Sequence, residues 1–197
     1  MPAGICLLLH SSMPEGNLPF RAVFLVGFMG SGKTSVGQAL ARLVDRPFVD
    51  LDDRIQERAG RSIAQIFRDA GEARFRDLEH QALRELVQTL DKSTKLVVAL
   101  GGGAFVQPRN AALLESTRLP VIFLDAPPSE LLRRCREQNV ERPLSTDEPR
   151  FHELYAERKP HYMKAYLRID TMGRDVNSVA QEIAATLGTR TKSAKEK

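Results

Sequence analysis

Cysteine is scarce in this chain. Cys6 and Cys135 lie far apart in 197 residues, without C-x-x-C spacing, which favours reduced thiols in a cytoplasmic protein over a disulfide framework or a zinc site. Histidine offers no metal site either: His10, His80, His152 and His161 show no ligand spacing and read as solvated or structural. Long apolar runs are missing, and none approaches a membrane span. Residues 3–9 form a short apolar stretch with no basic segment before it, so a signal peptide is rejected; a loose leader over 1–20 is expected, with Met13 as an alternative start. Charge of one sign is not in excess along the body. The net charge is +4, but Arg190, Lys192, Lys195 and Lys197 against Glu196 put +3 of it in the last eight residues. A basic stretch over 189–197 is expected to be a solvated, disordered tail and is no argument for nucleic acid. There is no internal repeat, no N-K-x-D element for guanine and no appended helix-turn-helix.

What is present begins with residues 27–34, Gly27-Phe28-Met29-Gly30-Ser31-Gly32-Lys33-Thr34, a complete G-x-x-x-x-G-K-[ST] phosphate-binding loop. It follows the apolar run 22–26 and precedes a helical pattern, which is the context the motif needs. The glycines let backbone amides of Gly30, Ser31, Gly32 and the following Lys33, Thr34 and Ser35 close around phosphate oxygens at a helix N-terminus. Lys33 then reaches the β- and γ-phosphates, and the Thr34 hydroxyl suits Mg²⁺. This predicts a nucleoside-triphosphate site.

Hydrophobic content of 42% and charged content of 27% are those of a globular protein, and the length suits one domain over 21–188. Strands are predicted at 22–27, 47–50, 96–100, 120–124 and 166–170, mostly as the continuous apolar runs of parallel strands. Helices are predicted at 33–44, 52–60, 62–70, 72–91, 108–117, 128–138, 149–164 and 175–187. Ser62-Ile63-Ala64-Gln65 reads as a capping box, and Gly71 and Gly188 stand where helices should stop. Alternation of five strands with helices argues an α/β fold, a parallel sheet covered on both faces, with ligands at the C-terminal strand ends. The polar, proline-bounded stretch at 137–149 reads as a mobile loop over that edge.

Several residues at that edge suit a small acidic polyol. Asp50 and Asp52 flank one residue after the second strand, so in extended backbone both point to one side; one can approach Mg²⁺ through water and the other accept a hydroxyl proton. Capping of the next helix by Asp52 or Asp53 would explain one carboxylate but not the pair. Phe75, Leu78, Ala82 and Leu86 form a buried stripe that puts Arg76 and Glu79 together on its flank, where a guanidinium can bind a carboxylate bidentately; a plain surface ion pair is the alternative. Gly101-Gly102-Gly103 suggests backbone approaching a ligand where no side chain fits. Arg158 stands near the end of a helix disturbed by Pro160, and taken alone is a surface cation.

Together these motifs closely resemble shikimate kinase. The resemblance runs through residues 27–37, Phe48-Val49-Asp50-Leu51-Asp52, Gly60-Arg61-Ser62-Ile63, Phe75-Arg76-Asp77-Leu78-Glu79, Ala99-Leu100-Gly101-Gly102-Gly103, Arg142-Pro143-Leu144 and Arg158-Lys159-Pro160-His161-Tyr162, in order over about 21–187. It implies the nucleoside-monophosphate-kinase-like P-loop NTPase fold with sheet order 2-3-1-4-5, and transfer of the γ-phosphoryl group of ATP to the 3-hydroxyl of shikimate, a step of chorismate and aromatic amino acid biosynthesis. It also implies the roles. Arg76 and Arg158 would clamp the shikimate carboxylate, neither of them near the phosphate loop, with Glu79 supporting Arg76. Asp52 would hold ring hydroxyls and act as base, and Gly101, Gly102 and Gly103 would line the ring. Arg142 would descend from the lid onto the transferring group, Arg134 would pack on adenine, and Thr34 with Asp50 would serve one Mg²⁺. Small-molecule partners and a monomer are expected, with no nucleic acid or membrane partner. The departure from the family lies in the lid, where Ser145-Thr146-Asp147 follows Leu144. Gluconate and nucleotide kinases are disfavoured by the combination of the triple glycine with two well-placed arginines. A non-catalytic ATP-binding regulator would be expected to lack Asp52 or Arg142.

Overall fold

The computed structural model describes residues 21–90, 95–137 and 147–188. Its elements run β1 Ala22–Val26, α1 Lys33–Val44, β2 Phe48–Asp50, α2 Leu51–Ala59, α3 Ile63–Gln88, β3 Leu96–Ala99, α4 Pro108–Thr117, β4 Val121–Asp125, α5 Pro128–Glu137, α6 Glu148–Tyr162, β5 Leu167–Asp170 and α7 Val176–Thr186. The five strands form one sheet in the order β2-β3-β1-β4-β5, every pairing parallel. This is the predicted fold and strand order.

Alternation along β1 divides the core. Ala22, Phe24 and Val26 face a layer built with α2–α6, while Val23 and Leu25 face one built with α1 and α7. β1 and β4 are buried along their whole lengths, as their unbroken apolar runs predict. The outer strands differ: β2 is three half-buried residues, and β5 buries Ile169 alone, because an edge strand has a neighbour on one side only.

Because all strands run parallel, Val26, Asp50, Ala99, Asp125 and Asp170 end at one edge of the sheet, and the functional segments continue from them. Asp125 is a hub there. Its buried carboxylate accepts from Tyr155 Oη at 2.9 Å and Arg168 Nε at 2.9 Å, and its backbone oxygen accepts from Thr171.

The helices predicted at 62–70 and 72–91 fall within α3, Ile63–Gln88, which is kinked at Gly71, with φ 76° and ψ 171°. The Ser62–Gln65 capping box forms in both directions, and α6 runs through Pro160 before ending at Tyr162. The buried stripe of α3 is rotated from the predicted one: Phe75, Glu79, Ala82, Leu83 and Leu86 are buried and Leu78 is only half-buried. No described helix is long and apolar enough to cross a membrane. The expectations for 1–20 and 189–197 and most of 137–149, including Arg142, Leu144, Ser145 and Thr146, lie outside the described residues; Arg136 and Glu148, on either side, pair at 3.1 Å.

Candidate active site

The phosphate loop leaves β1 and enters α1 through Gly32, whose φ of 88° only glycine adopts without strain. Gly32 is the N-cap and offers no side chain to the first amides of α1, whereas Asp50, Ser62, Asp147 and Asp175 cap α2, α3, α6 and α7. The first turn of α1 is thus left to an anion from outside the protein. Lys33 Nζ lies along the inside of the loop and donates to the carbonyls of Gly27 and Phe28, at 2.9 Å each.

Beside α1, Thr34 Oγ1 donates to Asp50 Oδ2 at 2.8 Å, and the other oxygen of Asp50 accepts from the Asp52 amide at 3.0 Å. The helix cap is therefore Asp50, not Asp52 or Asp53. The extended-backbone argument for the pair fails, because α2 begins at Leu51 and Asp52 belongs to its first turn. Both carboxylates nonetheless line the same cleft, since a cap and the second residue after it share one helix end. Thr34 and Asp50 offer hard oxygens close together, a donor set that fits Mg²⁺ completed by phosphate and water. Among the described residues no cluster of three or more His, Cys, Asp or Glu forms a metal cage.

The cleft has a volume of about 560 Å³ and contains Gly30, Gly32, Lys33, Thr34, Ser35, Asp50, Asp52, Arg76, Glu79, Gly101, Gly102, Gly103 and Arg158. Ser31 is buried behind the loop. Arg134 lies outside the lining, on α5. Its guanidinium donates to Glu130 and to the hydroxyl and backbone oxygen of Thr171 just after β5.

Arg76 and Glu79 are no surface ion pair. Their side chains are 13% and 0% exposed, and Arg76 Nη1 meets Glu79 Oε2 at 3.0 Å while Nη2 meets Glu72 at 3.0 Å. Burial works against the Arg76 charge, but Glu79 and then Glu72 outweigh it and raise its pKa. Glu79 is also raised, by burial first, against the pull of Arg76. Asp52 is pushed up to about 6, by burial and then by Asp50, with Lys33 opposing. Two buried carboxylate oxygens, Asp52 Oδ1 and Glu79 Oε1, have no protein partner among the described residues. They converge over Gly101, whose Cβ, if present, would lie 2.5 Å and 3.1 Å from them. A Cβ on Gly103 would sit 2.5 Å from Arg76 Nη1, so any side chain there would have to displace the guanidinium.

Arg158 approaches the same turn from α6; a Cβ on Gly102 would be 3.9 Å from its Nη1. Its guanidinium also lies 5.8 Å over the Phe28 ring. The expectation that Arg158 stands clear of the phosphate loop is therefore wrong: α6 packs Phe151 and Tyr155 edge-on against Phe28, which brings the arginine with it.

Sequence reasoning passes over an apolar wall and an anchor. Ile63, Phe67 and Phe75 line the mouth, with Phe67 packed on Phe75 at 4.6 Å; the apolar i, i+4 spacing of 63 and 67 is the available signal. Tyr162 Oη donates to the Gly102 carbonyl, and its position four residues after Arg158 would have placed both on one helix face.

Comparison with known proteins is consistent across sequence and structure. A family model described as shikimate kinase matches residues 29–188. A shikimate kinase of Thermus thermophilus is 42% identical over 172 residues, spanning 86% of this chain and 91% of that one. Among solved structures, a shikimate kinase from Acinetobacter baumannii in complex with shikimate superimposes with a TM-score of 0.75 at 35% identity, covering 86% of this chain and 94% of that one. The shikimate kinase of Bacteroides thetaiotaomicron does so with a TM-score of 0.77 at 30% identity, covering 85% and 98%.

Proposed function

The chain belongs to the shikimate kinase family, and on that footing we propose that its cleft is where the γ-phosphoryl group of ATP passes to the 3-hydroxyl of shikimate. The observation that carries this reading is the pair of arginines, Arg76 and Arg158, set against a turn of three glycines in which a side chain at Gly101 or Gly103 would collide with the site. Planar forks facing a bare backbone suit a carboxylate on a small ring, held bidentately and close.

The acceptor ring lies on Gly101, Gly102 and Gly103, with its carboxylate on Arg76 and Arg158. Glu79 holds Arg76 in place. The free Oδ1 of Asp52 takes the hydroxyl proton; its pKa of about 6 suits a group that must be charged at neutral pH and still accept a proton. Lys33 and the amides of residues 30–35 stabilise charge on the β- and γ-oxygens. Thr34 and Asp50 would hold Mg²⁺, which supplies further charge neutralisation at the phosphates. Arg134 is proposed to flank the adenine and Arg142 to meet the transferring group, and the segment that bears Arg142 to exclude water. A coupled ADP-release assay across shikimate, quinate, gluconate and AMP tests the assignment. Turnover with shikimate is expected, and a clear preference for gluconate or AMP overturns it.

A further inference from the structure

We propose that Asn110, acting with His80, is a positioning residue for the acceptor side of the cleft: the pair sets the distance between the triple-glycine turn and Arg76. The inference rests on the reading of Arg76 and Arg158 as a carboxylate clamp. Asn110 is the third residue of α4 and is fully buried, so both ends of its amide need partners. Its Nδ2 donates to the Ala104 carbonyl at 3.0 Å. A carbonyl cannot donate, so that end must be the amino group and Oδ1 must face His80 Nδ1, at 2.7 Å. Oδ1 only accepts, which fixes the His80 proton on Nδ1.

The Ala104 carbonyl also accepts from the Gln107 amide, and the Ala104 amide closes the turn onto the Gly101 carbonyl at 3.0 Å. Residues 101–104 are therefore moored at Ala104 to α3 and α4. His80 lies one helical turn beyond Arg76, and Tyr162 one turn beyond Arg158 with its hydroxyl on the Gly102 carbonyl. Each arginine-bearing helix thus sends a second side chain to the same turn, one through Asn110 and one directly. The tolerance is small, since even a Cβ at Gly103 would collide with the Arg76 guanidinium. The exposed Arg109–Asp77 pair, at 2.8 Å, joins the same two helices, but solvent screening leaves it little to contribute.

Three variants test this. Asn110→Leu removes both amide contacts. His80→Leu removes one donor at a half-buried position that the fold can spare, and decides the matter if Asn110→Leu does not fold. His80→Asn keeps an N–H close to the place of Nδ1. Both leucine variants should raise the KM and the calorimetric Kd for shikimate roughly tenfold, because the turn and Arg76 are no longer held at the distance that binding needs. The Kd for ATP and the saturated kcat should stay within about twofold of wild type, well under one tenfold step, and His80→Asn should behave as wild type. Unchanged shikimate binding in His80→Leu, or equal weakening of ATP and shikimate, overturns the inference and leaves an ordinary structural tie. Absence of shikimate turnover in the wild type would instead overturn the proposed function. Loss of shikimate binding in Arg76→Lys with His80→Leu intact would sink the inference alone.

Discussion

Asp52 should cost the fold stability at the pH where the enzyme needs it. Its carboxyl is raised from 3.8 to about 6, and Oδ1 is buried without a partner. A folded pKa above the unfolded one means a contribution fully present below about 3.8 and lost as pH rises through about 6. Roughly two pKa units at 1.36 kcal/mol each give about 3 kcal/mol at pH 8, an upper value. Asp52→Asn keeps the shape and carries no charge, so it should be more stable than wild type at about pH 8, by on the order of 6–10 °C in Tm for a chain of this size, and little changed near pH 4. The same variant should lose about 10²–10⁴-fold in kcat, as general-base removal does, with a far smaller change in shikimate affinity. Thermal unfolding followed by circular dichroism at both pH values, with chelator and without nucleotide, reads the first effect, and steady-state kinetics the second. A Tm gain independent of pH, or a loss at pH 8, would refute the electrostatic argument. A raised KM with kcat intact would make Asp52 a binding group and not a base.

Lys33→Ala should abolish turnover with an unchanged circular dichroism spectrum, because Lys33 meets loop carbonyls and not the apolar core; near-normal specific activity in a folded variant would contradict this. Arg76→Lys should weaken shikimate binding by about 1.5–3 kcal/mol and leave ATP binding nearly untouched, as read by calorimetry with each ligand. Arg158→Lys should do the same to shikimate but also weaken ATP roughly two- to fivefold, since its guanidinium lies over Phe28 of the phosphate loop; no ATP effect would mean that contact does nothing for the loop. Gly103→Ala should displace the Arg76 guanidinium and raise the KM for shikimate by roughly 10- to 100-fold, the equivalent of ~1–3 kcal/mol of overpacking, and a wild-type KM would show that the turn has room to spare.

The strands and most helices are legible in the sequence because each is a run or a period of apolar residues, and Ala22–Val26 or Val121–Asp125 can only be buried. The phosphate loop is legible as a motif with its flanks. Legibility fails where a residue's position depends on its three-dimensional neighbours. Asp52 reads as extended backbone beside Asp50 because nothing local says that Asp50 itself is the cap of α2. Glu79 reads as a flank residue because a carboxylate in the buried stripe of α3 makes sense only with Arg76 beside it and Gly101 across from it. Arg158 reads as remote from the loop because its approach to Phe28 follows from how α6 packs. The His80–Asn110 contact joins residues thirty positions apart, both of types common on surfaces, and no spacing rule reaches it.

The side chains of the cleft also balance as an electrolyte. Its charged lining is Lys33, Arg76 and Arg158 against Asp50, Asp52 and Glu79, a formal sum of zero among the described residues. A triphosphate and an acceptor carboxylate both add negative charge to this neutral vessel, so the ternary state needs counter-charge that the described lining does not contain. Three sources are open to it: a cation that travels with the nucleotide, an arginine from beyond the lining, and a proton taken up by the Glu79 carboxyl, which burial has already raised toward neutrality. Ligand affinity in such a cleft is a property of the whole ionic population, and it should fall as alkali removes the third source.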